Sequence, residues 1–512
     1  MTGKALAALA FIAGGSALAD QPKAKCSSPP AELSQTAGDW NGWGSNAANS
    51  RYQSDPGLEL ADVPKLRLKW AFAFPNVNTM TAQPAVVSGR VFIGSADGTV
   101  YSLDAASGCV YWTYSAGAPV RGAISLGRLG SGRWAAFFGD LHAFAHAVDA
   151  NTGTPLWKTK IDEHRAALVT GSVAFTNGRV YVPVSSTEET FANNPSYPCC
   201  TFRGSLAALD AETGTRIWQT YTVTEPAKPY ALSRKSVDLS GPAGAAIWSA
   251  PTIDTERKLV FVATGNSYTS ISVPASDAVV AISLDTGKIQ WIAQTRPDDN
   301  FIVGCPLHPN CPKNPGDDLD FGASPVLQRL PDGKQVLLAG QKSGVVYALD
   351  PDDRGRILWQ KRIGAGGPMG GVVWGLTTDG KNVYAAVADW LSEGTGSPGL
   401  SALDLVTGKR TWFVPAPAVT GIAAQSAAVT AMPGAVFSGT VDGHLRAYSA
   451  DTGKVLWNFD TNRSFETVNG VPGSGGSLDG PGAVIAEGLV LTVSGFSGHG
   501  GDRGNVLLVF SQ

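Results

Sequence analysis

Charged residues are scarce in this chain. They make up 16% of the 512 residues, and the formal net charge is only -3, whereas an average soluble domain carries about 25% charged residues. Without a basic excess there is nothing to neutralise a phosphate backbone, which excludes nucleic-acid binding as a main role. No later stretch reaches the roughly 20 consecutive apolar residues that a membrane-spanning helix needs. Helical periodicity longer than a few turns is also missing. None of the six cysteines forms Cys-x-x-Cys-His, so covalent c-type haem is excluded. The glycine-rich runs Gly473–Gly476 and Gly495–Gly501 do not end in Gly-Lys-Ser/Thr and read as turns rather than phosphate loops. A Gly-x-Ser-x-Gly nucleophile elbow is absent too. His142 and His146 have no third ligand near them in sequence and read as packing residues.

The amino terminus reads as an address. Lys4, the apolar run Ala5 to Ala13 and Ala17-Leu18-Ala19 before Asp20 are the three parts of a secretory signal peptide. The expected mature chain is one domain over 20–512, exported to a bacterial periplasm. Export makes disulfides possible. Cys305 and Cys311 bracket a proline-rich loop and are expected to close it. Cys199 and Cys200 are neighbours in sequence; they either bond to each other or pair with Cys26 and Cys109.

Glycine is what the chain has in abundance, 61 residues, and a repeat explains it. An apolar strand, Asp or Ser, a Thr-Gly type turn and a strand ending in Trp recur. The copies are SLDAASGCVYW, AVDANTGTPLW, ALDAETGTRIW, AISLDTGKIQW, ALDPDDRGRILW, ALDLVTGKRTW and AYSADTGKVLW, ending at Trp112, Trp157, Trp218, Trp291, Trp359, Trp412 and Trp457. Each reads as strand, tight turn, strand, with another strand pair ahead of most copies. Four strands per repeat describe propeller blades. An eighth blade can be assembled from LRLKWAF around Trp70 and NVLLVFS near the carboxyl end, a closure that removes free sheet edges. The predicted fold is therefore all-β, one eight-bladed β-propeller of four-stranded antiparallel blades. Function is expected at the mouth of its axial channel.

Four segments break the repeat: SSTEETFANNPSYPCCTF, IWSAPTIDTERKLVFVATGNSY, NPGDDLDFGASPVL and GQKSGVVYALD. Carboxylate and amide oxygens converging from several blades suit a hard cation such as calcium. A lysine, an arginine and a tryptophan suit a flat anionic ligand.

The repeat together with these segments resembles the pyrroloquinoline quinone (PQQ) dependent alcohol dehydrogenases. YPCCTFRGSLAALDAETG, DDLDFGASPVL and the early NGWG with Arg51-Tyr52-Gln53 look most like the polyvinyl alcohol dehydrogenase branch. The resemblance implies PQQ and Ca2+ as cofactors and an alcohol as substrate. It implies Trp248 as the floor under the quinone, with Glu188, Asn266 and Asp318 as calcium ligands. Glu189 is the alternative to Glu188. Asp318 is also the implied catalytic base, with Asp320 as its alternative. Lys342 is implied beside the quinone oxygens, Arg121 at a PQQ carboxylate and Thr170 in a hydrogen bond to the cofactor. Cys199-Cys200 is expected as a vicinal disulfide near the channel mouth, although related enzymes carry theirs in an earlier blade. Members of the branch often have an amino-terminal haem c domain. None is seen here, so electrons are expected to pass to a separate acceptor such as cytochrome c. The competing reading is a non-catalytic propeller that scaffolds outer-membrane protein assembly and binds peptides along its blade edges.

Overall fold

The computed structural model describes residues 24–390, 398–417 and 424–512; the signal peptide expected over 1–19 lies outside them. In blade 1 the strands Ala85–Val87, Arg90–Gly94, Thr99–Asp104 and Val110–Ser115 pair antiparallel in chain order. Its second strand is buried throughout while the fourth alternates with solvent. A strand covered on both faces reads as a continuous apolar run, and an outer strand keeps the period of two. The same order recurs over residues 125–160, 167–221, 252–294, 326–362, 377–415 and 430–460. In the eighth blade Val484–Ala486, Leu489–Ser494 and Val506–Ser511 pair in turn, and Arg67–Ala73 from the other end of the chain adds the outer strand. The ring closes as the sequence predicts.

The recurring Trp holds neighbouring blades together. Trp112 Nε1 donates to Ala150 O at 3.0 Å, Trp157 to Ala211 O at 2.9 Å and Trp359 to Leu405 O at 3.0 Å. In each case the acceptor lies at the Thr-Gly type turn of the next blade. That turn requires glycine for two reasons, seen at Gly214. Its φ of +70° is left-handed, and a Cβ there would come within 2.6 Å of the Trp157 indole. Trp457 makes the last such bond, to Leu66 O at 3.1 Å, and so ties blade 7 to the eighth blade.

Residues 40–53 run as a strap across the inner strands. Trp40 bridges Val86, Asn49 Nδ2 bonds Pro251 O at 3.0 Å, and Tyr52 bridges Ala431. Arg51 is wholly buried within the strap. Its guanidinium donates to Val429 O, Trp43 O, Gln83 Oε1, Thr430 Oγ1 and Ala483 O, and it lies 4.8 Å from the Trp43 ring centroid. Three disulfides are formed, Cys26–Cys109, Cys199–Cys200 and Cys305–Cys311. His146 is buried, 2.8 Å from Asp140 and stacked on Phe138, the packing role expected of it.

Candidate active site

The blade register itself builds the site. Arg121, Thr170, Trp248 and Gly322 each stand four residues ahead of an innermost strand, beginning at Ser125, Ala174, Thr252 and Val326. Equivalent positions in a ring converge on its axis, and these residues line one cavity together with Trp43, Ser249, Trp374 and Phe496. Trp374 meets Trp248 edge to face at 5.6 Å, and the Arg121 guanidinium lies 4.9 Å over the Trp374 ring. A Cβ at Gly322 would collide with the Trp248 indole, so only glycine lets the ring lie there. Trp374 is fastened through Nε1 to Asp479 Oδ1 at 2.5 Å. Sequence reasoning missed Trp374, Trp43 and Ser249. A place just ahead of an inner strand, here three residues before Thr377 and Thr252, is the signal that would have found the first and third, whereas Trp43 sits on the strap, outside the repeat.

Two features of the cavity call for a ligand. The Arg121 guanidinium makes no hydrogen bond among the described residues, and Ser249 Oγ is buried without a partner. Burial lowers the Arg121 pKa to about 10, opposed by Asp479, which leaves it cationic at neutral pH. Thr170 Oγ1 shares a hydrogen bond with Ser185 Oγ at 2.7 Å on the same wall.

Acidic groups gather at the indole edge. Asp320 Oδ2 accepts from Trp248 Nε1 at 3.1 Å and Asp320 Oδ1 from the Asn266 backbone N–H at 2.7 Å. Asp318 Oδ1 pairs with Lys342 Nζ at 2.7 Å. Asn266 donates through Nδ2 to Ser267 O and Phe301 O, both at 2.8 Å, which leaves its amide oxygen free to bind a ligand. The two aspartates that the sequence offered as alternatives therefore have different partners: Asp320 joins Trp248 to Asn266, and Asp318 is the counter-ion of Lys342.

The glutamates exchange places. Glu188, the expected ligand, turns away from this cluster; its carboxylate accepts from Thr201 N at 2.9 Å, Phe202 N at 2.7 Å and the Tyr197 hydroxyl at 3.0 Å. Glu189 is the one that feels Asp318, Asp320 and Lys342. Cys199 and Cys200 do bond to each other, but they are buried in a core with Leu239, Ala243 and Tyr268 and are not among the residues lining the cavity. They pair with Ser240 through Cys200 N–H to Ser240 O at 2.9 Å and Ser240 N–H to Cys199 O at 2.6 Å. The vicinal disulfide thus braces the segment that holds Glu188, and the cofactor-binding role expected of it is not supported by this placement.

Burial pushes Glu189 up to about 8, with Asp318 and Asp320 adding to it and Lys342 opposing. Burial likewise lifts Asp318 to about 7 against the pull of Lys342. For Lys342, burial works against its charge, yet Asp318 and Asp320 outweigh it and raise its pKa. A carboxyl whose folded pKa exceeds its unfolded value near 4 binds more protons in the folded state, so it costs stability as pH rises. The melting temperature of the metal-free chain is therefore expected to fall between about pH 4 and pH 8 on account of these groups, as calorimetry over that range would show. A loss confined to pH above about 9 would refute this.

Comparison with known proteins places the chain. Residues 40–360 match the family model "Glucose/ethanol/alcohol dehydrogenase, beta-propeller domain". The chain is 45% identical to a polyvinylalcohol dehydrogenase of a Pseudomonas species over 96% of its own length and 80% of that protein's. The chain belongs to the PQQ-dependent alcohol dehydrogenase family. It is an oxidoreductase of the alcohol dehydrogenase kind. A second polyvinylalcohol dehydrogenase, from Sphingopyxis sp. (strain 113P3), is 41% identical over 96% of the chain and 79% of that protein. Among solved structures the quinohemoprotein alcohol dehydrogenase ADHIIG of Pseudomonas putida HK5 superposes with a TM-score of 0.69 at 20% identity, over 93% of this chain and 80% of that one, a likeness of fold. Residues 329–496 also match the model "Outer membrane protein assembly factor BamB". That stretch shares the blade repeat but contains none of Arg121, Trp248, Asn266 or Asp320, so the quinoprotein dehydrogenase, not the scaffold reading, accounts for the site.

Proposed function

We propose that this quinoprotein dehydrogenase is a periplasmic enzyme that oxidises secondary alcohols or polyols, polyvinyl alcohol among them, to ketones and passes the electrons to a separate acceptor such as cytochrome c. The observation that carries the cofactor assignment is the Arg121 guanidinium, without a hydrogen bond among the described residues, in one cavity with the orphaned Ser249 hydroxyl and the indole of Trp248. PQQ is flat and bears carboxylates, so these groups fit it in shape and charge. The donors at the indole edge are all oxygens, the set a hard cation takes. Asn266, Glu189 and Asp320 would hold Ca2+ there. Among the described residues no three acidic, imidazole or thiol groups could hold a metal ion unaided. The amide of Asn266 and the cofactor's own oxygens would therefore complete the shell. When bound, PQQ supplies the hydride acceptor and Ca2+ a Lewis acid.

The protein's task is then positioning and proton transfer. Trp248 and Trp374 would orient the flat ring, and Arg121 would anchor one of its carboxylates. Asp320, held by Trp248 and Asn266, accepts the substrate hydroxyl proton as hydride leaves the carbinol carbon and the carbon–oxygen double bond forms. Lys342 places positive charge beside the developing negative charge, and Asp318 keeps it protonated and in place.

The test is reconstitution of purified protein with PQQ and Ca2+, followed by dye reduction with a secondary alcohol. Quinone retained after gel filtration and turnover that requires both additions support the assignment; quinone lost on the column sinks it. In the same assay Glu189→Gln is expected to weaken the apparent Ca2+ affinity about 10–100-fold, and Glu188→Gln to leave it within a few-fold. Equal losses in the two variants would contradict the exchanged roles.

A further inference from the structure

One loop bonds Asn266, the backbone of Glu189 and the turn just ahead of Asp320, yet supplies no ligand itself. Phe301 O takes one hydrogen of the Asn266 amide at 2.8 Å, and Phe301 N–H returns a bond to Ser267 O at 2.8 Å. Val303 N–H donates to Glu189 O at 3.2 Å. At the loop's origin Asp299, 3% exposed, accepts from Asp318 N–H at 3.0 Å and Leu319 N–H at 2.5 Å. The stretch that bonds the Asn266 amide is therefore also bonded to the backbone of Glu189 and to the Asp318–Leu319 turn that leads into Asp320.

The middle of this loop is fastened from outside. Cys305–Cys311 closes it. Asn310, 2% exposed, donates through Nδ2 to Ala192 O at 3.1 Å, Asn194 O at 3.0 Å and Tyr197 O at 3.1 Å, all in the segment that begins with Glu188 and Glu189. Arg234 Nη2 adds a bond to His308 O at 2.7 Å. An amide whose two hydrogens are shared among three carbonyls of the neighbouring segment clamps this loop to the piece of chain that carries Glu189.

We infer that the 299–316 loop, closed by Cys305–Cys311 and clamped by Asn310, sets the affinity of the ion site by fixing the direction of Asn266 and the seat of Glu189, with Asn310 as a positioning residue. This rests on the reading that Asn266 and Glu189 hold Ca2+. Groups that orient ligands from behind typically account for about 10–100-fold in metal affinity.

The experiment is a calorimetric titration of Ca2+ into full-length protein saturated with PQQ, comparing the unmodified chain with Asn310→Ala and with the double variant Cys305→Ser/Cys311→Ser. Each variant is expected to bind Ca2+ about 10-fold or more weakly, with quinone retention restored by excess Ca2+. Circular dichroism and melting separate this from unfolding. Phe301→Ala keeps the carbonyl that Asn266 uses and is expected to bind within a few-fold of the unmodified chain. Native-like affinity in both folded variants overturns the inference. Absence of Ca2+ binding by the unmodified chain overturns the ion-site reading beneath it, and this inference with it.

Discussion

Replacing Asp320 with Asn is expected to lower kcat for alcohol oxidation by about 10²–10⁴-fold, the usual contribution of a positioned proton acceptor, in enzyme loaded with PQQ and Ca2+. Asp320 is the carboxylate fixed between the Trp248 indole edge and the Asn266 backbone, so it borders both the proposed cofactor floor and the proposed ion site. An amide of the same size keeps one oxygen there but cannot take up a proton. Asp318→Asn is the informative partner. It removes the counter-ion of Lys342 and leaves the acceptor in place, so its kcat should fall much less, with the loss concentrated in cofactor affinity. Single-turnover kinetics on both variants decide the matter. If Asp318→Asn is the inert enzyme and Asp320→Asn turns over, the base is the residue that the motif alone indicated.

Arg51→Met is expected to destabilise the fold by about 3–5 kcal/mol, because several buried acceptors each lose a donor worth about 1–3 kcal/mol. Arg51 bonds three carbonyls and two side-chain oxygens drawn from the strap, from the entry to blade 1 and from blades 7 and 8. No carboxylate pairs with it among the described residues, and burial lowers its pKa to about 9. The charge is held by the oriented carbonyls and by the faces of Trp40 and Trp43, at 5.3 and 4.8 Å. Methionine fills much of the same volume with no donor at all. Urea unfolding at unchanged slope would show the loss as a lower midpoint, and a loss below about 1 kcal/mol would mean that water replaces the guanidinium.

The site was legible to different depths. Arg121, Thr170 and Trp248 were indicated by the family motifs, and the structure brings all three to one cavity. The acidic residues were legible only as a group. Glu188 and Glu189 open a short helix, Glu188–Phe191, in which successive side chains diverge by about 100°; one carboxylate meets the backbone behind the vicinal disulfide while its neighbour faces the cluster. Asp318 has a left-handed φ of +58°, and this local turn sends its side chain to Lys342 while Asp320 reaches Trp248. Neither choice is encoded in residue type or spacing. Cys199-Cys200 shows the same limit: adjacency made the bond foreseeable, but its burial under the 238–241 strand depends on an insertion that has no counterpart in the repeat.

The sequence by itself determined the ring. Strand alternation, turn glycines and the recurring Trp are short-range patterns, and because each blade docks its indole on the next blade's turn, repeating the pattern specifies the closure as well. It also supplied the chemistry proposed for the mouth, since a cation, an indole and oxygen donors in the broken repeats suit a flat anionic cofactor and a hard ion. Only the tertiary structure decided which carboxylate serves which partner. Those assignments depend on contacts between segments far apart in sequence, such as Asp320 with Trp248 and Asn310 with Ala192, where a one-residue change in side-chain direction decides whether a group faces the site or the core.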